Sequence, residues 1–302
     1  MKPPRHTVAV RVPASTSNCG AGFDTLGLAL QLYNHVLLRF DSEPGPQPVT
    51  AADARAQALV ESAAEAFFAG TRTKPFGFAY SIAGKVPVAR GLGSSAIVRA
   101  GVIAGLDALA ETKLTKRRLV ALVARLEGHP DNATPAVLGG FTISRTDPAT
   151  GEFVEAMKFT IPDDLVFVVA SPQVEAPTAE ARAALPAALP FADAVRSMNS
   201  AAFFVAALAA LDYEKLRPAV HDFFHEPYRL PRIPGARAAI EAGVAAGAIT
   251  GWLSGSGSSV LCASMVPPSA AVAKAMKAAF AREKISCETR VLRADNGGLQ
   301  VD

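Results

Sequence analysis

The chain has 302 residues, half of them hydrophobic and 19% charged, which is enough to bury one large core or two ordinary ones and excludes a disordered chain. The net charge is only +3, with Lys and Arg spread along the chain, so no basic face for nucleic acid is expected. The three cysteines, Cys19, Cys262 and Cys287, have no metal-ligand spacing and fit free thiols in a reducing compartment.

In chain order, MKPPRHTVAV carries no apolar signal-peptide region, and a cytoplasmic protein is expected. TVAVRVPAS alternates and is β-branched, predicting a first strand, and LGLALQLYNHVLLRF reads as strand in its second half. DSEPGPQPVT reads as a loop, ARAQALVESAAEAFFAG as a helix ending at Gly70, and FAYSIAGKVP as a strand ending at Pro87. A helix is predicted from about Ser95 to Leu109, and a second from Thr115, its N-cap, to the stop at Gly128. GGFTIS and LVFVVAS read as strands on either side of an acidic turn. Helices dominate after residue 171, until ITGWLSGSGSSVLCAS and a final strand near CETRVLRA. The longest apolar run, AAFFVAALAAL at 201–211, falls short of the roughly 18 residues that span a bilayer and reads as a buried helix. The class is α+β, with a division near residue 160.

RGLGSSAIVRAG, residues 90–101, places two glycines and two serines before a helix. Such a loop lets backbone amides approach an anion, and the helix N-terminus favours negative charge. The stretch is not a Walker loop, which needs Lys after its second glycine. It formally fits a dinucleotide fingerprint, but the acids that follow, Asp107 and Glu111, lie in or just after helical sequence rather than ending a strand. A tight strand-to-helix turn is the bland alternative. Two further glycine-rich segments, PASTSNCGAGFDTLGLAL with Asn18 and Asp24, and LSGSGSSVLCAS, suggest convergence on one polar ligand. Between them LEGHPDNATPAVLGG packs Glu127, His129, Asp131 and Asn132 into six residues. HDFFH at 221–225 spaces two histidines as zinc helices do, yet lacks the Glu, and reads as an ordinary helix face.

PASTSNCGAGFD, PVARGLGSSA, EGHPDNATPAVLGGF and GWLSGSGSSV, in this order, resemble the GHMP small-molecule kinases, and the third of them resembles the homoserine kinases within that superfamily. Cys19, Ala21, Ile97, Val98 and the pair Ser258–Ser259 depart from the usual residues without removing a charged group. The resemblance implies a GHMP kinase fold: residues 1–160 an ATP-binding domain with a left-handed β-α-β crossover, residues 161–302 a ferredoxin-like domain. ATP and Mg2+ are the implied cofactors, and L-homoserine the implied acceptor, phosphorylated toward threonine. No nucleic-acid or membrane partner is implied, and a homodimer is compatible with the sequence.

Residue by residue, Pro87, Arg90, Gly91, Leu92, Gly93, Ser94, Ser95 and Ala96 would bind ATP, chiefly through backbone amides. Ser95 and Glu127 would hold magnesium, which prefers one or two carboxylates with phosphate oxygens. Asn18 and Asp24 would take the substrate ammonium, although Asx-turn chemistry in a glycine-rich loop is the alternative. Arg182 and Arg229 would grip the carboxylate beside Thr178, with Gly255, Ser256 and Gly257 completing the pocket. His129 and Asn132 would line the hydroxyl end. Asn132 stands where many relatives in the superfamily place an aspartate base, so the proton would pass to the phosphoryl group, and Asp131 reads as structural. A kinase for mevalonate or a sugar, or a catalytically silent sensor of the same fold, are the competing readings. The arginine pair and the Asn18/Asp24 pair suit a zwitterion, against the first, and the intact loop with Ser95 and Glu127 argues against the second.

Overall fold

A computed structural model of the chain describes residues 5–50 and 53–302. Its first half runs β1 (Thr7–Ser17), β2 (Leu26–Asp41), β3 (Pro46–Pro48), α1 (Ala54–Thr71), β4 (Gly77–Gly84), α2 (Ser94–Ala110), α3 (Lys116–Glu127), α4 (Ala133–Leu138), β5 (Phe141–Thr146) and β6 (Phe153–Phe159). Next come β7 (Leu165–Pro172), α5 (Thr178–Ala183), α6 (Phe191–Ala209), α7 (Glu226–Arg229), α8 (Ala236–Ala245), β8 (Thr250–Leu253), β9 (Val260–Met265), α9 (Ser269–Arg282), β10 (Cys287–Arg293) and β11 (Gln300–Val301).

Two sheets organise these elements. In the first, β11, β1, β2, β4 and β3 lie in that order, with β5 on the start of β2 and β6 on β5. β3 and β4 pair in parallel across α1, which is a β-α-β unit. α2 is apolar on nearly every side, burying Ile97, Val102, Ile103 and Leu106, because it packs between β1 and β2 on one face and α1 and α3 on others. α3 starts where Thr115 accepts the Arg118 N–H and stops at Gly128 in the left-handed region, as the cap residues predict. The second sheet has the order β10-β7-β9-β8, all antiparallel, with α8 and α9 packed on it. That β-α-β-β-α-β arrangement is ferredoxin-like.

The end of the chain returns to the first sheet. Val301 and Gln300 pair with Val10 and Arg11 of β1. Just before them, the Asp295 carbonyl accepts the Gly140 N–H at 2.6 Å and its carboxylate accepts the Tyr33 hydroxyl at 2.8 Å.

Several elements depart from the periodicity. β2 is strand throughout: Leu26–Leu30 are all buried, so alternation shows only beyond Gln31. The Pro-rich loop contains the short β3, and β6 and β11 add strands where the sequence carries little apolar alternation. The run 201–211 is not a buried helix. α6 buries Phe204, Ala207 and Leu208, whereas Phe203 is 45% and Leu211, just past its end, 52% exposed. HDFFH is not helical either: the Asp222 carboxylate accepts the N–H groups of Phe224, His225 and Glu226 and folds the segment into a turn ahead of α7. Among the described residues no helix is long and apolar enough to cross a membrane.

Phe204 joins the two sheets. Its ring lies 5.9 Å from Phe141 of β5 and 5.8 Å from Trp252 of β8. Phe204→Ala should therefore cost about 3–5 kcal/mol, the usual range for a buried Phe truncation. The denaturant midpoint at constant slope checks this.

Candidate active site

The site forms where turns from both sheets meet, and short buried bonds fix each turn. Trp252 Nε1 donates to Thr16 Oγ1 at 3.2 Å, Thr16 and Ser254 hydroxyls lie 2.8 Å apart, and Ser254 Oγ lies 2.7 Å from the Gly91 carbonyl. Thr16 Oγ1 thus accepts from both Trp252 and Ser254, and Ser254 shares its one hydroxyl proton between Thr16 and the Gly91 carbonyl. The glycine loop has no room for side chains where it threads this crossing. Gly91 (φ +72°) would bring a Cβ within 2.0 Å of the Ser254 carbonyl, and Gly93 (φ +71°) within 2.2 Å of the Ser15 hydroxyl. α2 then starts without a side-chain cap, and its first turn closes from Ile97 N–H to the Gly93 carbonyl. The amides of Ser94, Ser95 and Ala96 are left at an electropositive helix end.

A polar cavity of about 60 Å3 gathers most of the residues expected from the sequence. Asn18, Asp24, Gly91, Gly93, Ser94, Ser95 and Glu127 line it, and so do His129, Asn132, Thr178, Arg182, Arg229, Gly255 and Ser256. Pro87, Arg90, Leu92, Ala96 and Gly257 do not. Leu92 is buried in the core and its carbonyl holds the Ser15 N–H, while Ala96 reaches the loop only through its backbone. Arg90 has a buried Nη1 without a hydrogen-bond partner, and Gly257 packs near Ile233 with its N–H on the Ser254 carbonyl.

Charged groups in the cavity come mostly in pairs. Glu127 accepts from Ser95 Oγ at 2.7 Å through one oxygen and from Arg99 at 2.5 Å through the other. Arg182 donates two parallel bonds to Asp24, at 2.9 and 2.8 Å. His129 Nδ1 lies 2.5 Å from Asp131. Burial acts to lower the His129 pKa, but the hydrogen bond and charge of Asp131, with Asp24 and Glu127 behind it, raise it above the ordinary value. Arg229 differs: it is 3% exposed, bonds the carbonyls of Ala181 and Gly255, and has no carboxylate in ion-pair contact among the described residues. Burial, then the Arg182 charge, depress its pKa.

Two expected side chains are already engaged within the protein. Asn18 donates to the Gly255 carbonyl at 3.1 Å and accepts the Asp24 N–H at 3.1 Å. Asn132 accepts from Ser15 at 2.8 Å and donates to Ser17 at 3.0 Å. Ser15, Ser17, Arg99 and His225 escape the sequence reading. The serines sit in a strand whose pattern signals only pairing, and Arg99 carries no motif. His225, placed by the Asp222 turn, bonds the Gly20 carbonyl at 2.9 Å through Nε2 and stacks on Phe23. Asp24, His129 and Asp131 bring ligand atoms within 4.8 Å of one another, but their pairing with Arg182 and with each other accounts for them without a metal. Ser95 and Glu127, a hydroxyl and a carboxylate oxygen beside the helix end, are the donor set suited to magnesium.

A second, more apolar cavity of about 500 Å3 adjoins the first, sharing Ala89, Ser94, Ser95 and Thr178. Ala56 and Leu59 of α1, Tyr80 and Ile82 of β4, and Val88 and Val98 line it. No motif marks it, because its walls come from several elements: α1 and β4 supply apolar residues, and Asn34, Asp53, Arg55 and Pro177 add to them. Another cavity of about 870 Å3, by Phe40, Phe68 and Phe76, shares no residue with the site.

The His129–Asp131 pair predicts a pH signature in stability. The folded state holds the imidazole proton more tightly than the unfolded chain, so its contribution is complete below about pH 6.5 and is lost as pH rises through the raised value. Melting temperatures of wild type and His129→Gln should therefore differ more at pH 6 than at pH 9.

Comparison with known proteins gives a consistent answer. The family model for the GHMP kinases N terminal domain matches residues 58–140, and that for GHMP kinases C terminal matches 204–286. The homoserine kinase of Moorella thermoacetica is 39% identical over 97% of this chain and 99% of its own length. That of Carboxydothermus hydrogenoformans is 34% identical over 96% of this chain and 95% of its own. A crystal structure of homoserine kinase from Cytophaga hutchinsonii superposes with a TM-score of 0.89 at 26% identity, covering 100% of this chain and 99% of that one. With these near full-length matches on the geometry above, the chain belongs to the homoserine kinase family of the GHMP kinases.

Proposed function

We propose that this chain transfers the terminal phosphoryl group of ATP to the side-chain hydroxyl of L-homoserine, giving ADP and O-phospho-L-homoserine. The observation that carries the reading is Arg229. A guanidinium 3% exposed with no carboxylate partner calls for an anion from the ligand, and Asp24 stands across the same cavity to take an ammonium. A zwitterionic α-amino acid supplies both.

The small polar cavity takes the amino acid, and the adjoining 500 Å3 cavity takes the nucleoside. Between them the Gly91–Gly93 loop and the free amides of Ser94, Ser95 and Ala96 face the phosphates. Ser95 and Glu127 would hold magnesium, which would offset charge on the phosphate oxygens, while Arg99 keeps the Glu127 carboxylate oriented. Asp24 takes the ammonium with Asn18 behind it, and Arg229 and Arg182 take the carboxylate. Asn132 and His129 line the hydroxyl end. Neither is assigned as base: Asn132 has no basic lone pair, and His129 commits Nδ1 to Asp131. The hydroxyl oxygen therefore bonds to phosphorus as the bridge to ADP breaks, and its proton passes to the transferred phosphoryl group.

Residues 1–160 are assigned as the nucleotide-binding domain and 161–302 as the second domain, with β11 reaching back. The three buried, unpaired thiols support a cytoplasmic reaction.

ADP production with homoserine, mevalonate and galactose separates the acceptor classes, and only homoserine should support turnover. Arg229→Ala should weaken homoserine by about 10- to 100-fold, the loss of a charge-assisted bond, with ATP binding little changed. Ser95→Ala and Glu127→Gln should each lower kcat with homoserine binding retained. Because both act on one ion, their double variant should fall far short of additive loss.

A further inference from the structure

Asp24, assigned to the substrate ammonium, is in this structure bound to Arg182, assigned to its carboxylate. Arg182 of α5 donates both terminal nitrogens to the two oxygens of Asp24, a planar two-bond pair. The pair is partly exposed, 42% for the arginine and 31% for the aspartate, so it can open toward solvent. It is also held in place. The Arg182 guanidinium lies 5.3 Å from the centre of the Phe23 ring, Arg229 lies 5.2 Å from the same ring, and His225 stacks on it at 5.4 Å. The cavity beside the pair is small, about 60 Å3. A ligand that uses both Asp24 and Arg182 through its charged ends must take the place of the bonds they make to each other.

We propose that the Asp24–Arg182 ion pair is a charge-exchange latch that makes the site select zwitterions: a ligand opens it at little cost only by bringing an ammonium for Asp24 and a carboxylate for Arg182 together. A ligand with one charge satisfies one member and leaves the other without its partner. Selection then comes from what the ligand must break as well as from what it makes. An open clamp of independent groups behaves differently, since each charge then adds its own increment and the absence of one residue does not help a ligand that never used it. This inference rests on the acceptor reading given above.

The test uses 4-hydroxybutyrate, which keeps the carboxylate and lacks the ammonium, and homoserinol, which keeps the ammonium and lacks the carboxylate. Calorimetric affinities are compared in wild type, Asp24→Asn, Arg182→Gln and the double variant. Asp24→Asn frees Arg182, so 4-hydroxybutyrate should bind about 3- to 10-fold tighter than to wild type, the scale of one partly exposed, well-aligned ion pair. Arg182→Gln should do the same for homoserinol, and this second arm stands by itself if the first variant does not fold. The gain for 4-hydroxybutyrate should vanish when Asp24→Asn is made on top of Arg182→Gln, because no latch is left to open. Equal gains in both backgrounds would mean simple repulsion between Asp24 and the ligand carboxylate and would overturn the latch, as would no gain in either arm. Failure of wild type to bind homoserine would instead overturn the acceptor reading, which keeps the two failures distinct.

Discussion

The relay of hydrogen bonds from Trp252 through Thr16 and Ser254 to the Gly91 carbonyl is the constraint on which the rest of the site depends. It ties a strand of the second sheet, the end of the first strand and the Gly91–Gly93 loop with three hydrogen bonds that meet on Thr16 and Ser254. Because it ends on a loop carbonyl, it fixes which way that peptide turns and therefore where the following amides point. Ser259 N–H on the Arg90 carbonyl and Asn18 on the Gly255 carbonyl brace the same junction from either side. Precise placement of backbone donors is what phosphoryl transfer asks of a protein. The order of dependence thus runs from a buried tryptophan to the glycine loop.

Electrostatic organisation follows from this frame. Three acidic groups reach the cavity, and each is matched where it stands: Glu127 by Arg99, Asp131 by His129, Asp24 by Arg182. Arg229 is the cation left over, held by carbonyls, by the face of Phe23 and by the His225 side. Neutralising the acids in advance lowers the repulsion a polyphosphate would meet on entry. One buried cation is thereby left without a carboxylate among the described residues, the feature on which the proposed acceptor site rests.

Much of this was legible in the sequence, for identifiable reasons. Glycines whose φ is positive, helix caps such as Thr115 and Gly128, and four ordered motifs reveal themselves because only a few residue types satisfy the local geometry. The Gly91–Gly93 loop, Glu127, Asp24 and the two arginines were therefore nameable, and the cavity gathers them. What stayed hidden depends on distant partners. Arg99 becomes a member of the site through Glu127, and Ser15 and Ser17 through Asn132, contacts that no periodicity encodes. The apolar cavity beside the loop is a gap between α1 and β4, and a gap has no sequence signature. The exposed side of α6 misled for the opposite reason, since apolar composition does not say whether a neighbour covers it.

The return of residues 295–301 to the first sheet orders the events of biosynthesis. Asp295 binds Gly140 and Tyr33, and β11 closes the edge of β1, all across separations of more than 150 residues. Contacts of that span carry a large loop-closure cost and form late. As the chain emerges from the ribosome, the first sheet can collapse around α2, but its β1 edge stays unpaired until the last strand is made. The Gly91–Gly93 loop likewise waits for Ser254. A nascent first half is therefore a folding intermediate with an open strand edge, the feature that makes such species adhesive and a natural client for chaperones.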